Sequence, residues 1–171
     1  RTINGLNVID FTSSRMATSS TASWLNNTSY TIIAVTQFDN NTNFFMGTEG
    51  NGNNQIMHHG YSGSNWTLSQ FGGGNGTSWS TSLSSTTPVL SVTTAAHPTF
   101  EAWINGTSLG INTASSTQLS ATGPFNIGRP ESDGGWGYYD GTIAEIIIIS
   151  DEITSVKRQK IEGYLAHKWG L

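Results

Sequence analysis

The amino-acid sequence predicts an all-β fold, a two-sheet antiparallel sandwich, with one α-helix packed on it at the C-terminus. Three observations carry that prediction. From residue 1 to about 150 the apolar residues come in short runs, either alternating with polar ones or continuously β-branched, between clusters of Gly, Asn, Ser and Pro. Asn105-Gly106 joins Phe100–Ile104 to Thr107–Ile111, and Asn-Gly accepts the positive φ angles of a two-residue hairpin turn. From Thr154 onward the apolar period becomes helical.

The expected strands, in order, are Asn7–Phe11, Tyr30–Phe38, Asn43–Gly47, Gln55–Gly60, Thr67–Phe71, Val89–Thr93, Thr99–Ile104, Thr107–Ile111, Phe125–Gly128 and Gly141–Ile149. Within Phe100–Ile104 the residues Phe100, Ala102 and Ile104 point to one side, Glu101 and Trp103 to the other. Tyr30–Phe38 and Ile143–Ile149 are apolar on both faces, which makes them central strands with a cover on the side away from the opposing sheet. The helix, Thr154–Trp169, supplies that cover. Its apolar stripe is Val156, Ile161, Tyr164, Leu165 and Trp169, with Lys157, Arg158, Lys160 and Lys168 on the rest; Thr154 is the expected N-cap and Gly170 the residue past the end. The Ser/Thr-rich stretches Thr12–Ser23 and Thr77–Thr87 read as surface loops.

Composition narrows the function. The 171 residues suit one domain, residues 1–171, and 35% hydrophobic content with 6 Trp, 7 Phe and 5 Tyr can fill a core. Only 11% of residues are charged, against about 25% in an average domain, and Ser, Thr, Asn and Gly supply polarity instead. A net charge of -4 with three lysines leaves no basic stripe for nucleic acid. No apolar run approaches the roughly 18 residues of a membrane helix, Ile146–Ile149 being four, so membrane insertion is not expected. The absence of cysteine excludes disulfides and thiolate metal sites. The chain opens at Arg1 and enters an apolar segment at once, which reads as a domain excised from a longer protein.

The last forty-odd residues carry the most specific pattern. Phe125-Asn-Ile-Gly-Arg-Pro130, an aromatic and Gly-rich loop, Tyr139-Asp-Gly-Thr-Ile-Ala-Glu-Ile-Ile-Ile-Ile149, and a helix ending Ile161-Glu-Gly-Tyr-Leu-Ala-His-Lys-Trp-Gly-Leu171 resemble the closing segment of laminin-G-like jelly rolls of the concanavalin A-like lectin/glucanase superfamily. Arg1–Phe11, Tyr30–Phe38 and Ala102-Trp-Ile-Asn-Gly106 are similar to the corresponding pieces, so the resemblance spans nearly the whole chain. It implies a two-sheet antiparallel jelly roll, often a module of large secreted, cell-surface or phage-structural proteins. The superfamily holds lectins, adhesion modules, hydrolases and lyases, so function has to come from sites.

The enzyme branches do not fit. The glucanase Glu-x-Asp-x-x-Glu strand places two carboxylates in one cleft, but Glu131-Ser-Asp133 is followed by Gly134, Gly135 and Trp136. The lyase branch expects Gln-Ile-His; here Met57 intervenes between Gln55-Ile56 and His58 and turns the histidine to the other face. His58 and His59, adjacent on a strand, point to opposite faces and do not share a metal. No catalytic residue is assigned.

The binding reading rests on aromatic rings for the apolar faces of sugars, with Asn, Asp and backbone groups for their hydroxyls. Asp133-Gly-Gly-Trp-Gly-Tyr-Tyr-Asp140 has both, giving Asp133, Trp136, Tyr138, Tyr139 and Asp140 as candidate ligand contacts; the alternative is that Trp136 folds back over the sandwich edge. Tyr61, Asn65, Trp66 and Trp79 form a second candidate surface, with core packing the competing explanation for Trp66. Trp103 and Trp169 read as packing residues. A structural calcium, common among relatives, has hard oxygen donors near Asp39 or Asp133, though neither shows a defined ligand spacing. The expected activity is non-catalytic, lectin-like adhesion through a glycan or polysaccharide, on an extracellular, cell or virion surface. The alternative is a structural decoration or spacer that contacts neighbouring protein subunits.

Overall fold

A computed structural model describes all residues except 40–43, 51–54, 71–75, 86, 114–117 and 132–136. Two six-stranded antiparallel sheets face each other. The first runs β12 (Thr107–Thr113), β11 (Thr99–Ile104), β10 (Val89–Ala96), β5 (Tyr30–Phe38), β14 (Gly141–Ile149), β3 (Ile9–Phe11). The second runs β4 (Met16–Thr21), β13 (Pro124–Ile127), β6 (Phe44–Thr48), β7 (Met57–Ser62), β8 (Asn65–Gln70), β9 (Gly76–Ser80). A short hairpin, β1 (Thr2–Ile3) with β2 (Leu6–Asn7), precedes them, and the helix α1 (Ser155–Trp169) follows.

The two strands that are apolar on both faces are central. β5 lies between β10 and β14, with Ile32 and Ala34 in the core between the sheets and Ile33 and Val35 on the outer face. That outer face, with Leu90, Val92, Trp103, Ile147 and Ile149, is covered by Leu165 and Trp169 of α1. The expected hairpin is present, with Asn105 at φ 49° and Gly106 at φ 77°, and Asn4-Gly5 makes a second turn of the same kind. At one edge Trp79 Nε1 donates to the Gly110 carbonyl and Asn112 Nδ2 to that of Ser78, tying β9 to β12 across the sheets.

The helix is capped as its ends predict: the Thr154 hydroxyl accepts from Lys157 N, and Gly170 is left-handed at φ 68°. Its buried stripe is rotated from the expected one. Arg158 and Glu162 are buried beside Leu165 and Trp169, while Val156 and Tyr164 face solvent. The cause is chemical: the Arg158 guanidinium lies 4.3 Å from the centroid of the Trp103 ring and pairs with Glu162 one turn on, so each charge has an opposite charge beside it under the helix. Leu165 is the fully enclosed member of the stripe. Leu165→Asp is expected to cost about 3 kcal/mol or more and to lower the melting temperature by about 6–12 °C in a thermal melt followed by circular dichroism.

Two strands fall where loops were expected. β4 lies within Thr12–Ser23 and is exposed along its length; β9 overlaps the start of Thr77–Thr87. Both are edge strands of the second sheet: β4 is held by backbone pairing, which needs no apolar pattern, while β9 turns Thr77 and Trp79 inward between exposed serines. The N-terminal hairpin reaches the end of the helix, where Asn4 Nδ2 donates to the Lys168 carbonyl at 3.0 Å.

Candidate functional site

The segment between β13 and β14 is pinned on both limbs. Gly128 takes φ 86°, and a Cβ there would stand 2.2 Å from the Phe11 ring, so only glycine lets the chain leave β13 at this point. Its N–H donates to the Phe45 carbonyl, and its own carbonyl accepts from Tyr139 N, both at 2.8 Å. The Asp140 carbonyl accepts from Asp39 N at 2.9 Å. These bonds fix which way the two tyrosines point. Tyr139 turns inward, edge-on to Phe45, with its hydroxyl donating to the Thr142 carbonyl; burial raises its phenol pKa above the usual value. Tyr138 turns outward, 37% exposed, with the Arg129 guanidinium 4.8 Å from its ring centroid.

Behind this pair, residues 129–131 lie flat on the outer face of the second sheet. A Cβ on Gly47 would come within 2.6 Å of the Pro130 carbonyl oxygen, so the glycine in β6 lets that segment settle. His58 Nε2 lies 3.5 Å from Glu131 Oε1, and its ring stacks on Phe44 at 5.2 Å. Asn126 Nδ2 donates to Glu49 Oε1 at 3.0 Å, and Glu49 pairs with Arg15 at 2.6 Å. Burial lowers the His58 pKa to about 4, so this imidazole is neutral at physiological pH. Chemically the site offers a rigid phenol ring partly in water, an adjacent planar donor for oxygen atoms, and the half-buried Asp140.

Among the other expected contacts, Asp133 and Trp136 lie outside the described residues. Tyr61, Trp66 and Tyr139 face the core and present no open ring. Trp66 is 1% exposed, donates from Nε1 to the Thr93 hydroxyl of the opposite sheet at 2.9 Å, and packs tilted against Phe45 and edge-on to His59. Tyr61 packs on Phe38 at 5.0 Å, donates to the Thr81 carbonyl and accepts from Leu83 N. Trp79 is also buried, and Asn65 stays at the surface beside Ser80. His58 and His59 do point to opposite faces: His59 sits in the core, its Nδ1–H donating to the Thr67 carbonyl at 2.9 Å. Near Asp39 both carboxylate oxygens accept from the Arg1 guanidinium, which also reaches Asp10. Among the described residues no group of three or more His, Asp or Glu side chains converges as a metal site.

Arg129 was not read from the sequence as a site residue. Its signal is the Gly128-Arg129-Pro130 step, a left-handed glycine that re-aims the next side chain. Trp24, half exposed on the 3-10 turn Ser23–Leu25 and tilted against Phe125, is a further partly exposed ring that no local pattern marks.

No protein-family model matches the chain, and no curated protein matches its sequence. Solved structures do match its fold. The IT-sialidase CBM40 of Ruminococcus gnavus bound to α2,3-sialyllactose aligns with a TM-score of 0.69 and 9% identity over 92% of this chain and 97% of that one. A native heptameric SAP-like pentraxin from Limulus polyphemus gives 0.67 and 16% over 94% and 80%. The NanB sialidase of Streptococcus pneumoniae gives 0.70 and 14% over 91% of this chain but 27% of that one, so the chain spans about a quarter of the sialidase. The fold is a concanavalin A-like jelly roll. At these identities the likeness establishes architecture, and the jelly roll's site residues are argued from its own geometry.

Proposed function

We propose that this jelly roll is a non-catalytic carbohydrate-binding module working at an extracellular or cell surface, with Tyr138 and Arg129 as its central ligand contacts. The observation that carries this reading is the outward Tyr138 ring, held by the Tyr139 and Asp140 backbone bonds and backed by a guanidinium. A pyranose lays its C–H face on such a ring, and the guanidinium donates in fork geometry to a ring carboxylate or to vicinal hydroxyls. The same fold in the R. gnavus module, solved with α2,3-sialyllactose, supports an oligosaccharide as the ligand class and an acidic sugar as the first to test. Among the described residues, the Glu49 carboxylate is held by Arg15 and Asn126, which supports a structural role for it.

A glycan array followed by titration calorimetry tests this. Tyr138→Ala and Arg129→Ala are each expected to weaken the bound glycan about tenfold, equivalent to about 1.4 kcal/mol. Ile111→Ser, exposed on the edge strand β12, is expected to leave affinity unchanged. Trp136→Ala belongs in the same series. An array with no binder, or a binder indifferent to Tyr138 and Arg129, overturns the reading. If a protein subunit is found covering Tyr138 instead, the domain is a spacer or decoration module of a virion or surface fibre.

A further inference from the structure

The charges of this chain are segregated. α1 carries Lys157, Arg158, Lys160 and Lys168 against Glu162, a formal +3, and these include all three lysines; the remainder carries three arginines against ten carboxylates, a formal −7. Arg158 is consumed beneath the helix by Glu162, and Lys168 by Glu145 at 2.8 Å. Lys157 and Lys160 are exposed and have no carboxylate partner among the described residues.

The same outward face holds apolar side chains that the core did not take. Val156 is 60% and Tyr164 58% exposed, although the adjoining stripe buries an Arg–Glu pair. Gly163 stands between them in mid-helix, where glycine weakens a helix relative to alanine. Nothing in this chain requires it: a Cβ at Gly163 would meet no atom within 4 Å. Gly163 and Ala166, with Leu90, Leu171, the turn Asn105-Gly106 and Glu162, whose carboxylate is paired with Arg158, line a groove of about 200 Å³ between the helix and the β11–β12 hairpin. Lys160 and His167 lie three and four residues from Gly163 and therefore flank it on the helix surface.

We propose that this face docks an acidic polypeptide segment, its backbone passing close over Gly163 and its carboxylates on Lys157 and Lys160. Charge selects the partner. A second copy applying the same face would set Lys157 and Lys160 against the same two lysines, which opposes a symmetric contact. The apolar groove and Val156 give a peptide side chain somewhere to go, which a sulfated glycan does not use. The surface is separate from Tyr138 and does not depend on the carbohydrate reading.

The test uses the intact domain and a fluorescent dodecapeptide of alternating Glu and Val, with its Lys-for-Glu counterpart, a heparin oligosaccharide and phosphatidylserine vesicles. The Glu peptide is expected to bind, to weaken as salt rises, and to lose about tenfold or more in a Lys157→Glu, Lys160→Glu double variant. Gly163→Ala separates docking from bulk attraction: it is expected to raise the melting temperature while weakening the peptide. No binding of the Glu peptide, equal binding of the Lys peptide, tighter binding of heparin or vesicles, or Gly163→Ala without effect on affinity each overturns the proposal. Tyr138→Ala is expected to leave peptide binding intact, so failure here and failure of the carbohydrate reading are told apart.

Discussion

Trp66→Ala lowers the stability of the domain by about 3–5 kcal/mol, a fall of about 6–20 °C in melting temperature at this chain length. The size follows from where the indole lies. Among the described residues it is the largest fully buried side chain, it fills the space between the sheets against Phe45 and the edge of His59, and its Nε1–H is bonded to Thr93 of the opposite sheet. Truncation opens a cavity and leaves the fully buried Thr93 hydroxyl without this donor. Trp66→Phe restores much of the volume but not the bond, so it should fall between the two. Urea unfolding of the three proteins measures the ordering, and an alanine variant within 1 kcal/mol of the parent, about the cost of a single buried methylene, removes the inter-sheet role of Trp66.

Acidification destabilises the domain through its paired histidines. Burial lowers both His58 and His59 from the ordinary 6.5 to about 4 in the folded protein. Above pH 6.5 both are neutral whether the chain is folded or not, and their contribution is fully present. Below pH 6.5 the unfolded chain takes up protons that the folded one refuses, so stability falls with pH until about 4. Each histidine contributes a loss approaching about 1.4 kcal/mol per pH unit in that window, or about 2 kcal/mol by pH 5. His59, enclosed by Phe45 and Trp66, has the Thr67 carbonyl as its hydrogen-bond partner and no carboxylate beside it among the described residues, whereas His58 has the Glu131 carboxylate at 3.5 Å to receive a proton's charge. His59→Gln is therefore expected to reduce the pH slope by half or more. Urea midpoints between pH 7 and 4.5 decide it; a flat profile overturns the assignment.

What could be read from the sequence was set by local rules with one physical cause each. Asn105-Gly106 names its turn, Thr154 and Gly170 bound their helix, and Tyr30–Phe38 announces a strand covered on both sides. The aromatic assignments turned on strand ends. Trp66 was read as preceding a strand from Thr67, but β8 begins at Asn65 and the alternation then aims Trp66 inward. Tyr61 stands one residue beyond the expected end of its strand, and β7 continues through it. One or two residues of boundary decide between a core ring and a solvent-facing one. The helix stripe failed for a different reason. Burying Arg158 depends on Trp103 and Glu162 meeting it, a tertiary coincidence that periodicity cannot register. Arg129 at the site was hidden likewise, since its place over Tyr138, nine residues on in sequence, is made by two loop limbs that the Gly128–Tyr139 bond joins.

The bond from Asn4 to the Lys168 carbonyl brings the two ends of the described chain to one place on the surface, with Gly170 packed against the Asn4 side chain. A domain whose ends meet behaves mechanically as a pendant. Pulled through a continuing polypeptide, it takes load at a single corner, where the short β1–β2 hairpin and the last turn of the helix would peel before either sheet is strained. The same geometry lets it hang from a loop of a larger host without altering the host's path, or be re-cut at another loop once its ends are joined.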